Sequence, residues 1–305
     1  MTTFSDQNAS GGWPTQPRAL IVTIYGLYAR DAGGWLSVAS LIRMMAALGA
    51  DEPAVRSSVS RLKQRGVVEP RRAAGAAGYA LSRRGSQILA EGDWRIFGRP
   101  RAQAADGWLL AVFSVPERER RRRHALRSRL TWLGFGTVSA GVWIAPGHLA
   151  GETIDVLRRH GLDGYVNLFR AEYLAFGEVR GLLRDWWDID RLAAEYQAFR
   201  RQAATVLDRW PPEPAGPPPG QAAGPASQRP AAAAGRRQAG EAAFADYVRV
   251  LTLWRRLPFL DPGLPAGLLP ADWPGLAAAD AFTALRERLA GPARAYVLGV
   301  TGPPD

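Results

Sequence analysis

Apolar residues recur at helical spacing in three consecutive segments near the start of the chain. Pro17 can open the first segment, and Ser37 and Asp51 can cap the second and third by accepting backbone N–H bonds. The apolar positions are Leu20, Ile21, Ile24 and Leu27 in the first segment, Val38, Leu41, Ile42, Met45 and Leu48 in the second, and Val55, Val59 and Leu62 in the third. Because only Gly49–Glu52 separate the second and third segments, the pattern predicts a helix-turn-helix.

The third predicted helix, within Asp51–Gly66, has a polar face opposite its apolar stripe. That face is basic, lacks a carboxylate and consists of Ser57, Ser60, Arg61 and Gln64, flanked by Arg56 and Lys63. Arg, Gln and Ser side chains can hydrogen-bond to base edges and phosphates in a DNA major groove. The segment alone fits equally well an ordinary amphipathic helix with a solvated basic side. The neighbouring segments favour the DNA-binding interpretation.

A two-stranded hairpin and a short helix are predicted after this helix. Val67–Glu69 and Tyr79–Leu81 have strand-like composition, and an Arg/Ala/Gly loop, Pro70–Gly78, joins them. Ser82 can cap a helix that runs to about Ala90. Helix, helix, recognition helix and hairpin follow one another as in a winged helix-turn-helix. Arg71 and Arg72 would then lie on the wing and contact phosphates or the minor groove.

The middle of the chain alternates between strand and helix patterns. The apolar run Trp108–Val115 predicts a strand buried on both faces. A helix is predicted over Pro116–Trp132, with Leu126, Leu130 and Leu133 on its apolar face. The remaining elements are strands at Thr137–Ser139, Val142–Ile144 and Tyr165–Phe169, and a helix over Leu149–His160. The order predicts a ferredoxin-like sandwich.

Helices separated by Pro-rich segments are predicted in the last third. Glu178–Trp210 is predicted to be helical with a break near Asp188. Pro211–Gly240 has low complexity, which predicts a disordered insert. Further helices are predicted over Glu241–Leu257 and from Ala278 to about Leu289, on either side of a Pro/Leu-rich stretch, Pro258–Gly275.

Composition and charge narrow the function classes. The chain has 305 residues, a net charge of +11 and no Cys, which excludes disulfides, thiolate metal sites and cysteine nucleophiles. Residues 1–101 contain 14 Arg and Lys against 7 Asp and Glu, the charge balance of a DNA-binding domain. We expect no membrane segment and a cytoplasmic location, because no apolar run approaches the roughly 20 residues of a membrane helix and no signal region is present.

Several distinctive motifs follow one another along the chain. They read PRALIVTIYGLY, VRSSVSRLKQRGVV, YALSRRG followed by EGDWRIF, LTWLGFGTVSAGVWIAP and RRLPFLDPGLPAGLLPADWPG. With these motifs in this order, the chain resembles the PaaX family of bacterial transcriptional repressors. The resembling segments cover most of residues 17–290 apart from the Pro/Ala-rich insert, which departs from the compact family pattern. The resemblance implies repression of aromatic catabolism, typically of phenylacetic acid. It also implies a homodimer that binds double-stranded operator DNA and leaves it when phenylacetyl-CoA or another acyl-CoA binds.

The fold class implied is α+β, with an N-terminal winged helix-turn-helix, a ferredoxin-like (Cas2-like) middle domain and a helical C-terminal domain. The corresponding divisions are a disordered N-terminus over 1–16, a DNA-binding domain over 17–100, a middle domain over 101–175, a C-terminal effector and dimerisation domain over 176–210 and 241–300, and a disordered insert over 211–240. We expect the third predicted helix to contact DNA through Arg56, Ser57, Ser60, Arg61, Lys63 and Gln64, and the wing to contact it through Arg71 and Arg72.

An acyl-CoA effector needs aromatic side chains for its aryl head and Arg donors for its nucleotide end. The predicted effector residues are Trp254, Arg255, Arg256, Phe259 and Trp273 in the C-terminal segment, with Arg118 and Arg122 from the Arg118–Arg129 run. These residues suggest a site between the middle and C-terminal domains. The Pro258–Gly275 segment is equally consistent with a rigid packed loop, and the arginine run with a solvated helix face.

Enzyme alternatives have less support. A metal-dependent nuclease or an acyl-CoA-acting enzyme would use the Cas2-like or C-terminal domain. However, no carboxylate ends the Trp108–Val115 strand, and His124, His148 and His160 are not paired for zinc. The acidic trio Asp185, Asp188 and Asp190 fits helix capping better than metal binding. The sequence therefore predicts a non-enzymatic repressor with no metal and no catalytic residue.

Overall fold

The computed structural model describes residues 16–30, 33–73, 75–98, 100–174, 176–212 and 229–302, with side chains from residue 235 onward in the last range. Packing divides these residues into two compact units. The winged-helix unit comprises the described residues within 16–93, 199–254 and 277–302, and the central unit comprises those within 94–198 and 255–276. The three-domain division stays a prediction, and the expected disordered N-terminus lies outside the described residues except for Gln16.

The winged-helix unit begins with three helices and a three-stranded antiparallel sheet. The helices are α1 (Pro17–Ile24), which continues into a π-helical turn, α2 (Val38–Ala46) and α3 (Glu52–Gln64). The strands are β1 (Trp35–Ser37), β2 (Val68–Ala73) and β3 (Ala76–Leu81), in the order β1-β3-β2. Helix α4 (Arg83–Asp93) follows. Strand β1 was not predicted from the sequence, and the other elements follow one another as the sequence predicts.

Helices from the end of the chain complete this unit. They are α9 (Arg229–Trp254) and parts of α8 (Ile189–Arg209) and α11 (Pro274–Thr301). Helix α1 packs on α9, where the hydroxyls of Thr23 and Thr252 lie 2.8 Å apart and the rings of Tyr28 and Phe244 lie 5.8 Å apart. The N-terminal helices thus share a core with C-terminal ones.

The central unit contains a four-stranded antiparallel sheet that packs against two helices, and it also includes further helical segments. Its elements are β4 (Trp108–Phe113), α5 (Arg120–Leu133), β5 (Gly136–Ser139), β6 (Val142–Pro146), α6 (Ala150–Arg159), β7 (Val166–Ala171), α7 (Val179–Trp186), the start of α8, and α10 (Leu257–Leu260). The two helices packed on the sheet are α5 and α6. The sheet order β5-β6-β4-β7 is that of a ferredoxin-like fold. Leu126, Leu130 and Leu133 of α5 lie in its core, as their spacing predicts.

Asp261 holds the Pro/Leu-rich segment in place within the central unit. Its Oδ2 accepts hydrogen bonds from Arg101 at 2.5 Å and from the hydroxyl of Tyr196 at 2.8 Å. Its Oδ1 accepts the backbone N–H of Gly263 at 2.7 Å. The carboxylate is buried, and these three donors compensate for the loss of its hydration.

Two sequence predictions about strands are wrong. The segment Pro70–Gly78 is not a loop, because β2 and β3 stay paired up to Ala73 and Ala76. Pro70 is tolerated because β2 is an edge strand, where one missing N–H leaves no neighbour unpaired. Strand β4 is not fully buried on both faces. Its buried residues alternate with half-buried ones, because α5 and α6 cover only one side of the sheet.

The ends of two helices also differ from the prediction. Helix α9 begins at Arg229, so the last part of the predicted insert is helical, whereas residues 213–228 lie outside the described residues. Helix α11 continues through Pro292 to Thr301 instead of ending near Leu289. Packing on α9 offsets the hydrogen bond that a proline removes. A Cβ on Gly240 would lie only 3.2 Å from the carbonyl oxygen of Pro292.

Candidate nucleic-acid interface

Helix α3 is fixed by a cap at its start and by an apolar stripe along one side. The carboxylate of Asp51 accepts the backbone N–H of Ala54 at 2.8 Å, which satisfies one of the free donors of the first turn. Val55, Val59 and Leu62 are buried at 2%, 3% and 1% exposure. The cap and the stripe together determine which side of α3 faces solvent.

The side of α3 that faces solvent contains every residue predicted to read DNA. Arg56, Ser57, Ser60, Arg61, Lys63 and Gln64 are all exposed. The structure therefore brings these side chains together on one accessible face, with donors that suit base edges and phosphates. Their contact with DNA stays a prediction.

One feature of this face differs from the sequence interpretation, which found no carboxylate on it. Glu52, in the first turn of α3, accepts a hydrogen bond from Arg56 Nε at 2.7 Å and lies 2.6 Å from its Nη2. The two side chains are 50% and 62% exposed. An ion pair this exposed is weak, so Arg56 can leave Glu52 for a phosphate or a base at little cost.

The hairpin places its two arginines on opposite faces. Arg71 and Arg72 are consecutive residues of β2 and are both exposed. Trp35 of β1 fixes the position of this strand, since its Nε1 donates to the backbone carbonyl of Arg71 at 3.0 Å. The hairpin is therefore held to the sheet close to both arginines.

The Trp35 ring also explains a glycine in the hairpin. A Cβ on Gly78 would lie 2.5 Å from Trp35 Nε1 and 2.4 Å from the backbone oxygen of Leu36. Only glycine leaves room for the indole against β3. The Trp35 ring thus packs directly against the hairpin formed by β2 and β3.

Two further basic residues were missed by the sequence analysis. Arg83 and Arg84 are exposed at the start of α4. Ser82, just before them, donates its hydroxyl to the carbonyl of Gly66 at 2.6 Å and accepts the N–H of Gly85 at 2.9 Å. These bonds hold the start of α4 beside the end of α3. The sequence signal that could have identified Arg83 and Arg84 is that two adjacent arginines directly follow a capping serine.

The predicted effector residues do not form a single cluster. Trp254 lies in the winged-helix unit, where it stacks on Phe282 with 4.7 Å between ring centroids. Trp273 lies in the central unit, packed edge-on against Tyr196 at 5.7 Å. Both tryptophans are buried and serve internal packing. Arg255 and Arg256 are half-buried, and Arg118 and Arg122 are exposed on and just before α5.

Phe259 is the half-buried aromatic residue of the predicted set, and it lies beside a buried arginine. Its ring is 5.8 Å from that of Trp132, and the Arg95 guanidinium lies 4.2 Å from the Trp132 centroid and 5.6 Å from that of Phe259. Arg95 is fully buried, donates to the carbonyl oxygen of Trp132 and pairs with Glu152 at 3.0 Å. Sequence periodicity did not identify this residue, because it lies in the single π-helical turn Trp94–Gly98 that follows α4.

Two members of the acidic trio, Asp188 and Asp190, have structural partners. Asp188 accepts the N–H of Arg191 at 3.1 Å at the start of α8, and Asp190 pairs with Arg184 at 3.2 Å. Within the described ranges, no group of three or more His, Asp and Glu residues is arranged to hold a metal ion. In the same part of the chain, no helix is long and apolar enough to cross a membrane.

The fold defines an α+β protein with a winged helix-turn-helix, a ferredoxin-like sheet and a helical C-terminal region, which confirms the predicted fold class. Three family models match it: PaaX-like protein over residues 16–85, PaaX protein central Cas2-like domain over residues 101–183, and PaaX-like protein C-terminal domain over residues 226–299. The chain belongs to the PaaX family of transcriptional repressors, which are regulators and not enzymes.

Two known proteins illustrate the relationship. Transcriptional repressor PaaX of Escherichia coli (strain K12) is 25% identical over 295 residues, which cover 95% of this chain and 86% of that protein. Uncharacterized protein Rv0674 from Mycobacterium tuberculosis has a TM-score of 0.54 at 23% identity, covering 90% of this chain and 98% of that one. The second likeness concerns the fold alone.

Proposed function

We propose that this protein represses genes for the catabolism of aromatic acids of the phenylacetate type. It binds operator DNA as a homodimer and leaves the DNA when an aryl-CoA thioester such as phenylacetyl-CoA binds. The main support is the exposed face of α3, on which Arg56, Arg61 and Gln64 stand opposite a fully packed apolar stripe. A dimer fits this role because two copies of a helix-turn-helix read two half-sites related by symmetry.

The geometry of the winged-helix unit supports one arrangement on DNA. Helix α3 enters the major groove, and Arg61 and Gln64 address base edges there. Arg71 and Arg72 on the hairpin contact the sugar–phosphate backbone on either side of the strand. Arg83 and Arg84, at the start of α4, add further phosphate contacts. Base contacts specify the operator, and the other arginines position the protein on it.

Some of the residues predicted from the sequence to bind the effector lie in the central unit, in surroundings that suit an aryl-CoA. Phe259 and Arg256 lie within one turn of each other and are half-buried, so an aromatic ring and a guanidinium are both accessible. The aryl group of the effector packs near Phe259, and Arg255 and Arg256 bind its phosphates. The buried Trp273 supports this segment by packing against Tyr196.

A gel-shift experiment tests the proposed function. The probe is the region upstream of the protein's own gene, with and without a panel of acyl-CoA thioesters. We expect a salt-sensitive shift that phenylacetyl-CoA or a related aryl-CoA reverses and that acetyl-CoA does not. No shift at low salt would contradict the repressor proposal, and a shift that no acyl-CoA reverses would contradict the effector.

A double variant tests the effector location. Arg255→Ala with Arg256→Ala should leave operator binding intact and prevent release by the aryl-CoA. Arg236→Ala with Arg237→Ala is the matched control, because this adjacent pair on α9 is exposed. Normal release from the first variant would place the effector elsewhere.

A further inference from the structure

A dense group of arginines lies at the start of α5 and in the 3-10 turn just before it, in the central unit. The four that define it are Arg118, Arg120, Arg121 and Arg122, and all are exposed. We call these four residues the α5 arginine surface. Within the described part of the chain, none of their side chains forms an ion pair or a hydrogen bond. They are therefore accessible to an anionic partner.

The carboxylates nearest in sequence are occupied by other groups. Glu117 pairs with Arg123 at 2.7 Å, and Glu119 accepts a hydrogen bond from the hydroxyl of Tyr165. This bond raises the pKa of the Tyr165 phenol, and the positive charge of Arg122 acts on it in the opposite direction. The two acidic residues thus have partners outside the α5 arginine surface.

The end of α6 adds positive charge to the same region. Tyr165 follows α6 by a few residues, and its bond to Glu119 shows that the end of α6 lies beside the start of α5. Arg158 is exposed in the last turn of α6. Asp155 and Asp163 are the exposed carboxylates of that connection. They are fewer than the arginines, so the region is strongly positive.

This accumulation of charge is unfavourable in the protein alone. Cations at the start of a helix oppose the helix macrodipole, and neighbouring like charges repel one another. A bound polyanion relieves both effects. The guanidinium group also matches phosphate oxygens with two parallel N–H donors.

We propose that the α5 arginine surface binds the phosphate backbone of double-stranded DNA, outside the bases contacted by α3. This inference rests on the proposed operator binding and extends the DNA contact to the central unit. It assigns Arg118 and Arg122 to DNA instead of the effector. The contact adds affinity and salt dependence, and it adds no sequence preference because phosphates carry no base information.

The shape of the surface favours duplex DNA over a small nucleotide. The arginines project from the outside of a helix and are exposed, whereas small ligands bind in concave sites that bury most of their surface. A duplex presents a line of phosphates along each strand, which several exposed guanidinium groups can contact at once.

The test compares three full-length proteins by fluorescence anisotropy on a labelled operator duplex at a series of salt concentrations. The first protein is the wild type. The second, the α5 variant, carries Arg120→Ala, Arg121→Ala and Arg122→Ala together. The third, the α8 control, carries Arg191→Ala, Arg200→Ala and Arg201→Ala together. The control removes the same charge from exposed positions of α8. Each protein is also measured on a scrambled duplex.

We expect the α5 variant to bind both duplexes more weakly, by a similar factor. The slope of log affinity against log salt should flatten by about 0.9 for each lost phosphate contact. The α8 control should match the wild type. Replacing the three α5 arginines by lysine should restore the slope, because lysine also neutralises phosphate. Equal far-ultraviolet circular dichroism melting curves confirm that each variant is folded.

Slopes that are equal in the wild type and in the α5 alanine variant would overturn the proposal. An unchanged slope together with loss of release by phenylacetyl-CoA would also overturn it, and would assign the surface to the effector. If the alanine variant does not fold, the single change Arg121→Glu replaces it. The salt slope of Arg121→Glu is then compared with that of the lysine variant, which keeps the positive charge. Failure of the wild type to prefer its operator would contradict the proposed function and not this inference alone.

Discussion

Arg56 and Glu52 form an ion pair across one turn of α3, with 2.6 Å between Arg56 Nη2 and Glu52 Oε1. The pair lies at the start of the helix that we propose to enter the major groove. The side chain of Arg56 stays accessible in this pair, with 62% of its surface exposed. In the proposed complex with DNA, the negative charge of Glu52 would lie near the phosphates, and Arg56 would exchange a carboxylate for a phosphate or a base.

Replacing Glu52 by Gln should therefore strengthen DNA binding. The variant releases Arg56 and removes a negative charge, so we expect the affinity for operator and for scrambled DNA to rise several-fold. Stability should fall by no more than about 1 kcal/mol, the loss of an exposed pair and of an acidic residue at a helix start. Anisotropy titrations and urea unfolding measure the two effects. Weaker binding to DNA would show that the pair positions Arg56 for its contact.

Replacing Arg71 and Arg72 by Ala should weaken binding to all sequences. Because the two side chains point to opposite faces of β2, they contact different phosphates and their effects should add. We expect the slope of log affinity against log salt to flatten by about 0.9 per contact. Titrations of each single variant and of the double variant measure this. A wild-type slope in the double variant would place the hairpin away from DNA.

The buried Arg95 predicts a stability effect in the central unit. Glu152→Gln leaves a fully buried guanidinium without its carboxylate, and removing one partner of a buried pair costs about 3 kcal/mol. Urea unfolding followed by tryptophan fluorescence is suitable, since Trp132 stacks on Arg95. Glu117→Gln, in the exposed pair with Arg123, is the control and should cost about 1 kcal/mol or less. Equal losses would mean that the buried pair has no special role.

The parts of the fold that follow local rules could be predicted from sequence. The caps at Ser37, Asp51 and Ser82 and the stripe on α3 depend on residues a few positions apart, and the structure confirms them. The ferredoxin-like order of elements was also predictable, because each strand and helix has its own periodicity. The exposed face of α3 follows directly from its buried one.

Features that depend on distant parts of the chain could not be predicted in this way. Helix α11 continues past Pro292 because α9 packs against it, and that contact joins residues far apart in sequence. Trp254 and Trp273 looked available for a ligand, but each is packed against another aromatic ring in the fold. Arg95 has partners on α5, α6 and α10, none of which is adjacent to it in sequence.

The central claim, that α3 reads operator bases, is tested most directly by Arg61→Ala. Arg61 is exposed on the outer face of α3, two turns after the start of the helix, and its loss removes no internal packing. The measurement is the ratio of affinities for the operator and for a scrambled duplex, at one salt concentration. We predict a loss of about 1–3 kcal/mol on the operator and a much smaller loss on scrambled DNA, because a base contact is lost. An equal loss on both duplexes would contradict base reading by this residue, and no loss on either would place α3 outside the DNA interface.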